Sequence, residues 1–229
     1  MAHRNTKSYE LRAKNKIMFD LHTHSLLSDG ELLPSELARR YEEKGFKAIA
    51  ITDHVDLANI KSVVEAIVDF CNNWPRNRIK VIPGIELTHL PPEQFKKAVD
   101  FSRNKGIRLI VAHGETLVEP VLKGTNRAAL LTKIDILSHP GLIKEEDVKL
   151  AAKNGIFLEI SARQGHCLGN GHVAKLALKF GARLCINSDS HGPSDIPTIE
   201  TLKEVGLGAG LTDKDLVKVY GDVEELIQR

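Results

Sequence analysis

Residues 19–30 read FDLHTHSLLSDG. An apolar start gives way at once to Asp20, His22 and His24, and Asp29 with Gly30 closes the segment. In an extended strand, side chains two apart share a face, so this spacing predicts that Asp20, His22 and His24 project together. Imidazoles and carboxylates so placed suit a nitrogen and oxygen metal site, although a single HxH segment is equally compatible with ordinary polar residues at a strand end. The decision rests with the rest of the chain.

Working outward, the first run extends over 17–24, and six more short apolar runs follow: 47–54 (KAIAITDH), 79–89 (IKVIPGIELTH), 107–115 (IRLIVAHGE), 133–141 (KIDILSHPG), 155–163 (GIFLEISAR) and 182–191 (ARLCINSDSH). Each is apolar at nearly every early position, as a strand buried on both faces of a parallel sheet requires. Helix-length segments separate them. Residues 34–45 (PSELARRYEEKG) open on proline and stop on glycine, and 144–155 (KEEDVKLAAKNG) place acids first and lysines later, in accord with the helix dipole. Residues 56–74, 91–106 and 171–181 also read as helices, whereas 119–131 is less clearly periodic. Strand and helix in alternation, with short connections, define a parallel α/β fold. No linker interrupts it, so residues 1–229 are expected to form one domain, with 1–16 a basic lead-in and 193–229 a helical cover over the last barrel position. An eighth strand is not evident.

Composition narrows the function classes. The chain has 32 basic and 30 acidic residues, a net charge of +2 and 42% hydrophobic residues, so no strong nucleic-acid-binding field is announced. The basic opening lacks the apolar core of a signal peptide, and no run approaches a membrane span. Three cysteines without a CxxC pair argue for a reducing, cytoplasmic setting and against a thiolate zinc site. Cys185, in RLCIN, reads as a small core residue.

A parallel barrel builds its site at the C-terminal ends of its strands. Here six of the seven runs finish with metal-competent side chains: Asp20, His22 and His24; Asp53 and His54; Glu86; His113; His139; and Asp189 with His191. The remaining run ends in Glu159 followed by Arg163. A lone histidine at such a place is usually an ordinary polar residue, but six of the ten histidines occupy equivalent strand ends, and jointly they point to a metal site suited to Zn, Mn or Fe. His3 reads as tail, His89 as a loop residue or a group supporting the site, His166 as a loop residue able to reach substrate, and His172 as a helix start.

With these pieces in order, DLHTHSLLSDG, ITDH, GIE, AHG, SHPG and NSDSH, the chain resembles the PHP (polymerase and histidinol phosphatase) family of metal-dependent phosphoesterases over residues 19–192. The resemblance implies a distorted (β/α)7 TIM-like barrel. It implies metal ligands at His22, His24, Asp29, His54, Glu86, His113, His139, Asp189 and His191, holding two or three divalent ions. Glu86 would bridge an ion at His22, His24 and Asp189 to one at His113 and His139, and Asp29, His54 and His191 would take a third. Some members have histidine where this chain has Asp29, which makes that third site harder. Activity on a small phosphomonoester, histidinol phosphate being the best-known example, would follow through a metal-bridging hydroxide. Arg163 is then the candidate phosphate clamp, or a surface arginine if the resemblance fails there; Asp189 and His191 are candidate proton shuttles. Asp20 and Asp53 are expected to orient the neighbouring histidines. Two other readings stand beside this one: an amidohydrolase-like C–N hydrolase, disfavoured because His113 occupies the place of its usual lysine, and a non-catalytic metal-binding regulatory or accessory barrel.

Overall fold

A computed structural model describes residues 19–228; the basic lead-in, with His3, lies outside the described residues. The strands are β1 (Phe19–Asp20), β2 (Ala48–Ile51), β3 (His54–Val55), β4 (Lys80–Leu87), β5 (Leu109–His113), β6 (Ile136–Ser138), β7 (Phe157–Ser161) and β8 (Arg183–Asn187). Every pairing is parallel, in the order β1-β2-β4-β5-β6-β7-β8, and β3 pairs with the upper end of β4. The second apolar run therefore breaks at Thr52–Asp53 into β2 and β3, which occupy one barrel position between them. Seven parallel strand positions form a nearly closed, distorted TIM-like barrel in a single α/β domain, as the runs predict.

The seam lies between β1 and β8, and among the described residues its backbone-to-backbone bonds lie near the top. Asp189 N donates to His22 O and His24 N to Ser190 O, each at 2.9 Å. Lower down, Leu21 N finds the Asn187 side-chain oxygen at 3.0 Å in place of a backbone carbonyl. Short β1 has a direct consequence for side-chain direction. Asp20 turns its carboxylate to the Tyr41 hydroxyl at 2.8 Å, beneath helix α1 (Pro34–Glu43), while Leu21 joins the barrel interior. The expected common face for Asp20, His22 and His24 is thus not observed: two residues of ladder do not hold the alternation, and Asp20 belongs to the helix layer.

Outside the barrel, α1, α2 (Ile60–Asn73), α3 (Phe95–Asn104), α4 (Thr125–Leu130), α5 (Glu145–Asn154) and α6 (Asn170–Phe180) follow the strands, with 3-10 turns at Pro92–Gln94 and His166–Gly169. The weakly periodic 119–131 segment yields only the six-residue α4. Helices α7 (Ile199–Gly208) and α8 (Asp213–Gln228) account for the C-terminal segment. Val223, Leu226 and Ile227 of α8 cluster with the interior residues Leu21, Ala50, Ile82, Leu109, Phe157 and Cys185, so α8 stoppers the barrel. Lys80 donates to Ile227 O at 2.7 Å and ties that helix to the start of β4. With this apolar plug filling the lower barrel, the buried polar residues concentrate at the C-terminal strand ends.

Candidate metal centre

Glu86 lies at the middle of the upper barrel, fully buried near the end of β4. Its Oε1 is 3.2 Å from His22 Nε2 and 3.5 Å from His139 Nε2, and its Oε2 is 2.8 Å from His54 Nδ1 and 3.7 Å from His24 Nε2. Ser138 Oγ donates to Oε1 at 2.7 Å. Asp189 faces it across the seam, with Oδ1 3.2 Å from His24 Nε2 and Oδ2 3.6 Å from His139 Nε2. Asp29 comes in from the loop after β1: its Oδ1 is 3.3 Å from His191 Nε2 and 3.7 Å from His54 Nε2. His113, at the end of β5, stacks edge to face on His139 with ring centroids 4.4 Å apart. All nine residues predicted as ligands therefore converge: eight fall in overlapping groups, His22, His24 and Glu86; Glu86, His113 and His139; and His24, Asp29, His54 and His191, and Asp189 joins them through His24 and His139. The third group differs from the expectation in including His24.

Backbone strain helps to aim them. His89, His139 and Asp189 adopt φ of 51°, 25° and 56°, the only non-glycine residues in the left-handed region among the described ones. Each follows a strand end, and strained backbone of this kind clusters at functional sites. The glycines of AHG and SHPG serve the same turns: a Cβ on Gly114 would lie 2.3 Å from Ser138 O, and one on Gly141 2.0 Å from Glu115 O.

Glu159, whose role the sequence did not assign, proves to be the carboxylate that orients a histidine. Its Oε1 accepts from His22 Nδ1 and from Asn187 Nδ2, both at 2.8 Å, and its Oε2 accepts from His139 N at 3.1 Å. That bond fixes the His22 tautomer with its Nε2 lone pair turned toward Glu86 and Asp189. Asp20 and Asp53 touch no imidazole ring; Asp20 reaches its neighbour only through the His22 N–H, at 3.3 Å. Asp53 accepts from Ser25 N, Ser25 Oγ and Ser28 Oγ at 2.8, 2.7 and 2.6 Å and so folds the loop that carries Asp29. Asp20 accepts from Tyr41 and Ser188 N, and burial lifts it to about 6 despite those bonds.

Burial opposes charge on His22, but Glu159, Glu86 and Asp189 overcome it and hold His22 well above its ordinary range. Burial likewise opposes charge on Glu86, and the facing His22 and His54 drive it well below the usual carboxylate range. His24 has no such net support: burial, then the neighbouring His54, His22 and His191, push it well below the histidine range. Four buried ring nitrogens, His22 Nε2, both of His24, and His139 Nδ1, have no hydrogen-bond partner. Buried imidazole nitrogens are normally paired. Unpartnered nitrogens such as His22 Nε2 and His24 Nε2 beside the carboxylate oxygens of Glu86 and Asp189 fit divalent cations of the Zn, Mn or Fe type.

Of the remaining predictions, Arg163 stands at the edge of the cluster. Its Nη1 donates to Asp189 O at 2.9 Å and lies 2.6 Å from His191 Nδ1. His166 is buried in the wall of the mouth, its ring 4.1 Å from that of His139, with Nδ1 on Thr116 Oγ1 at 2.8 Å. Burial and the neighbouring His139 lower His166 to about 3, so it is neutral at physiological pH. His172 begins α6 and contacts Ile143 O at 2.8 Å, away from the cluster. Glu119, on the loop after β5, was not read from the sequence as a site residue, yet it approaches His113, His89 and His166.

A parallel barrel carrying a histidine and carboxylate cluster at its C-terminal mouth defines the class of protein. The PHP domain model matches residues 20–154, and the chain belongs to that family. An uncharacterized protein of Methanocaldococcus jannaschii is 46% identical over 203 residues, covering 86% of this chain and 92% of that protein. A probable phosphatase of Thermoanaerobacter sp. strain X514 is 27% identical, covering 88% of this chain and 90% of its own. Two solved structures share the fold. Histidinol phosphate phosphatase from Lactococcus lactis, complexed with zinc, L-histidinol and phosphate, has a TM-score of 0.58 at 16% identity over 85% of this chain and 94% of that one. A chain of archaeal ribonuclease P with mature tRNA has a TM-score of 0.67 at 18% identity over 91% of this chain and 89% of that one. Among the described residues, no helix is long and apolar enough to cross a membrane.

Proposed function

We propose that the protein is a metal-dependent phosphoesterase that hydrolyses a small phosphomonoester. The observation carrying this reading is the convergence of six strand-end histidines with Glu86, Asp29 and Asp189 around buried ring nitrogens that have no protein partner. Family membership and the relative named as a probable phosphatase support the same reaction class.

Glu86, His22, His24, Asp29, His54, His113, His139, Asp189 and His191 would hold two or three ions. Such ions, when bound, acidify water and neutralise charge on phosphate oxygens. The protein's own residues supply orientation. Glu159 holds the proton on His22 Nδ1, and Gly114 O, 3.1 Å from His113 Nδ1, holds the proton on that ring. Arg163 is the phosphate clamp. A guanidinium has only donors, so its 2.6 Å contact to His191 Nδ1 requires the lone pair on that nitrogen. A proton on His191 Nδ1, donated to Asp189 O at 3.0 Å, would remove that acceptor from Arg163 and leave its guanidinium donors for bidentate contact with phosphate. Beside it a cavity of about 640 Å³, lined by Arg163, Ser188, Asp189, Thr198 and Thr201 among others, is roomy and polar enough for the alcohol part of a small ester.

Likeness to the ribonuclease P chain favours a second reading, a barrel that associates with RNA or protein without turnover. The net charge of +2 gives that reading little electrostatic support. A phosphoester panel assayed with Mn-, Fe- and Zn-reconstituted protein separates the two. Turnover that disappears in His22→Ala and Glu86→Ala, with folding intact, supports the phosphoesterase. Absence of turnover on every ester under all three metals, or full turnover in both variants, refutes the assignment. Amide or lactone hydrolysis in place of phosphatase activity would instead select the amidohydrolase-like chemistry.

A further inference from the structure

Glu119 occupies a position that a loop carboxylate has no structural need to take. It sits on the loop between β5 and α4, with its side chain about one-third exposed, and three imidazole nitrogens from three different segments surround it. His113 Nε2 is 3.0 Å and His89 Nε2 3.3 Å from Oε2, while His166 Nε2 is 3.3 Å from Oε1. The His113 contact shows why a cation would fit between them. His113 Nδ1 faces Gly114 O at 3.1 Å, and a carbonyl only accepts, so Nδ1 carries the proton of the neutral ring. In that neutral ring Nε2 presents a lone pair to a carboxylate oxygen, and either a second proton on the ring or a metal cation held between the two reconciles them. His89, meanwhile, is kept in the left-handed region at φ 51°, next to Thr88 at the top of β4, with its ring 5.1 Å from that of His113. His166, anchored to Thr116, steadies the other carboxylate oxygen.

We infer that Glu119 and His89 are further metal ligands, which complete the coordination of the ion taken by His113 at the rim of the mouth. Two imidazole nitrogens and one carboxylate oxygen, all within 4.8 Å of one another, make a borderline donor set for Zn, Mn or Fe, open on its solvent side. The loop that carries Glu119 is thereby pinned over the cluster when the ion is bound. The inference rests on the metal-centre reading above, and the two fail differently.

The test uses the full-length protein, stripped by chelator and titrated with Zn against a chromophoric competitor, with bound ions counted by atomic emission and Mn binding followed by electron paramagnetic resonance. Glu119→Gln should retain the inner ions and bind one ion about ten-fold or more weakly, a loss of the size that follows damage to a coordination sphere. His89→Asn should weaken the same ion, and Glu119→Asp should restore part of the affinity. Glu119→Gln binding every ion with wild-type affinity overturns the inference while leaving the inner centre standing. Tighter binding in that variant also overturns it, because Glu119 would then be a latch held by a proton that competes with metal. Wild-type protein that takes up no ion refutes the metal centre itself, and this proposal with it.

Discussion

Glu159→Gln is the sharpest test of how the centre is organised, because the substitution keeps volume and removes only charge and one acceptor. Glu159 uses both oxygens as acceptors, for His22 Nδ1 and Asn187 Nδ2 on one side and His139 N on the other. A glutamine can keep its carbonyl toward His22 and Asn187, but its amide then points a donor at the His139 N–H. That leaves a buried donor unsatisfied, at a cost of about 1–3 kcal/mol to the folded protein. The effect on the centre is separate. Among the charges that raise His22, Glu159 comes first, so without it the imidazole becomes less basic and its Nε2 a poorer donor. Loss of such an orienting partner typically lowers metal affinity about 10- to 100-fold, or about 1.4–2.8 kcal/mol. Chelator competition gives the affinity, and guanidinium unfolding of the stripped protein gives the folding cost. The expected result is weaker binding at unchanged ion count. An unchanged affinity in a folded variant refutes the orienting role, and loss of one whole ion would mean that Glu159 is itself a ligand.

Five other outcomes follow from the same structure. His22, His54 and His113 are all raised above the ordinary histidine value, each against the effect of burial, by facing carboxylates, so ion uptake near neutral pH should release protons and strengthen as pH rises; calorimetry in buffers of different ionisation enthalpy that finds no proton release would contradict this. The same shifts add stability to the metal-free protein below the unfolded histidine pKa of about 6.5, and that contribution should be lost as pH rises through the folded values, as thermal melts across pH would register. Gly141→Ala, which forces a Cβ to 2.0 Å from Glu115 O at φ 58°, should displace the turn holding His139 and reduce ion binding by more than it lowers the melting temperature. Leu226→Ala, in the α8 stopper, should cost about 2–3 kcal/mol in denaturant unfolding and leave ion count unchanged. Of the three cysteines, only exposed Cys167 should react quickly with a thiol reagent in the native protein, since Cys185 is fully buried and burial pushes the Cys71 thiol up to about 12.

The barrel was legible because strands buried on both faces must be apolar at successive positions, and the runs at Ala48–Ile51 and 109–112 satisfy that without help from distant residues. The candidate ligands were legible because a parallel barrel brings all its strand ends to one mouth, so order along the chain translates into proximity. Direction was not legible in the same way. Alternation needs a ladder long enough to enforce it, and β1 is two residues long; at Asp20 the choice between the interior and α1 is made by Tyr41, twenty-one positions away, and by the β8 seam. Glu119 and the stopper residues of α8 were missed for a related reason: each acquires its role only when a loop or helix folds over one end of the barrel, and no local periodicity marks that event.

The left-handed residues show how strand ends and side-chain direction come apart at this site. His89, His139 and Asp189 lie just beyond β4, β6 and β8, where continued extension would send successive side chains alternately to the cluster and to the helix layer. A single residue at positive φ reverses the chain there and directs a side chain to the mouth, which alternation alone would not guarantee. Such a conformation costs about 1–3 kcal/mol at a non-glycine residue. Relieving it with glycine would remove the very ligand it positions, so the strain at His139 and Asp189 is the conformational cost of placing an imidazole and a carboxylate on facing sides of Glu86. His89 bears the same kind of strain without being one of the nine expected ligands. Its strain is accounted for if its side chain, like theirs, is directed at an ion, which is why His89 and Glu119 stand or fall together.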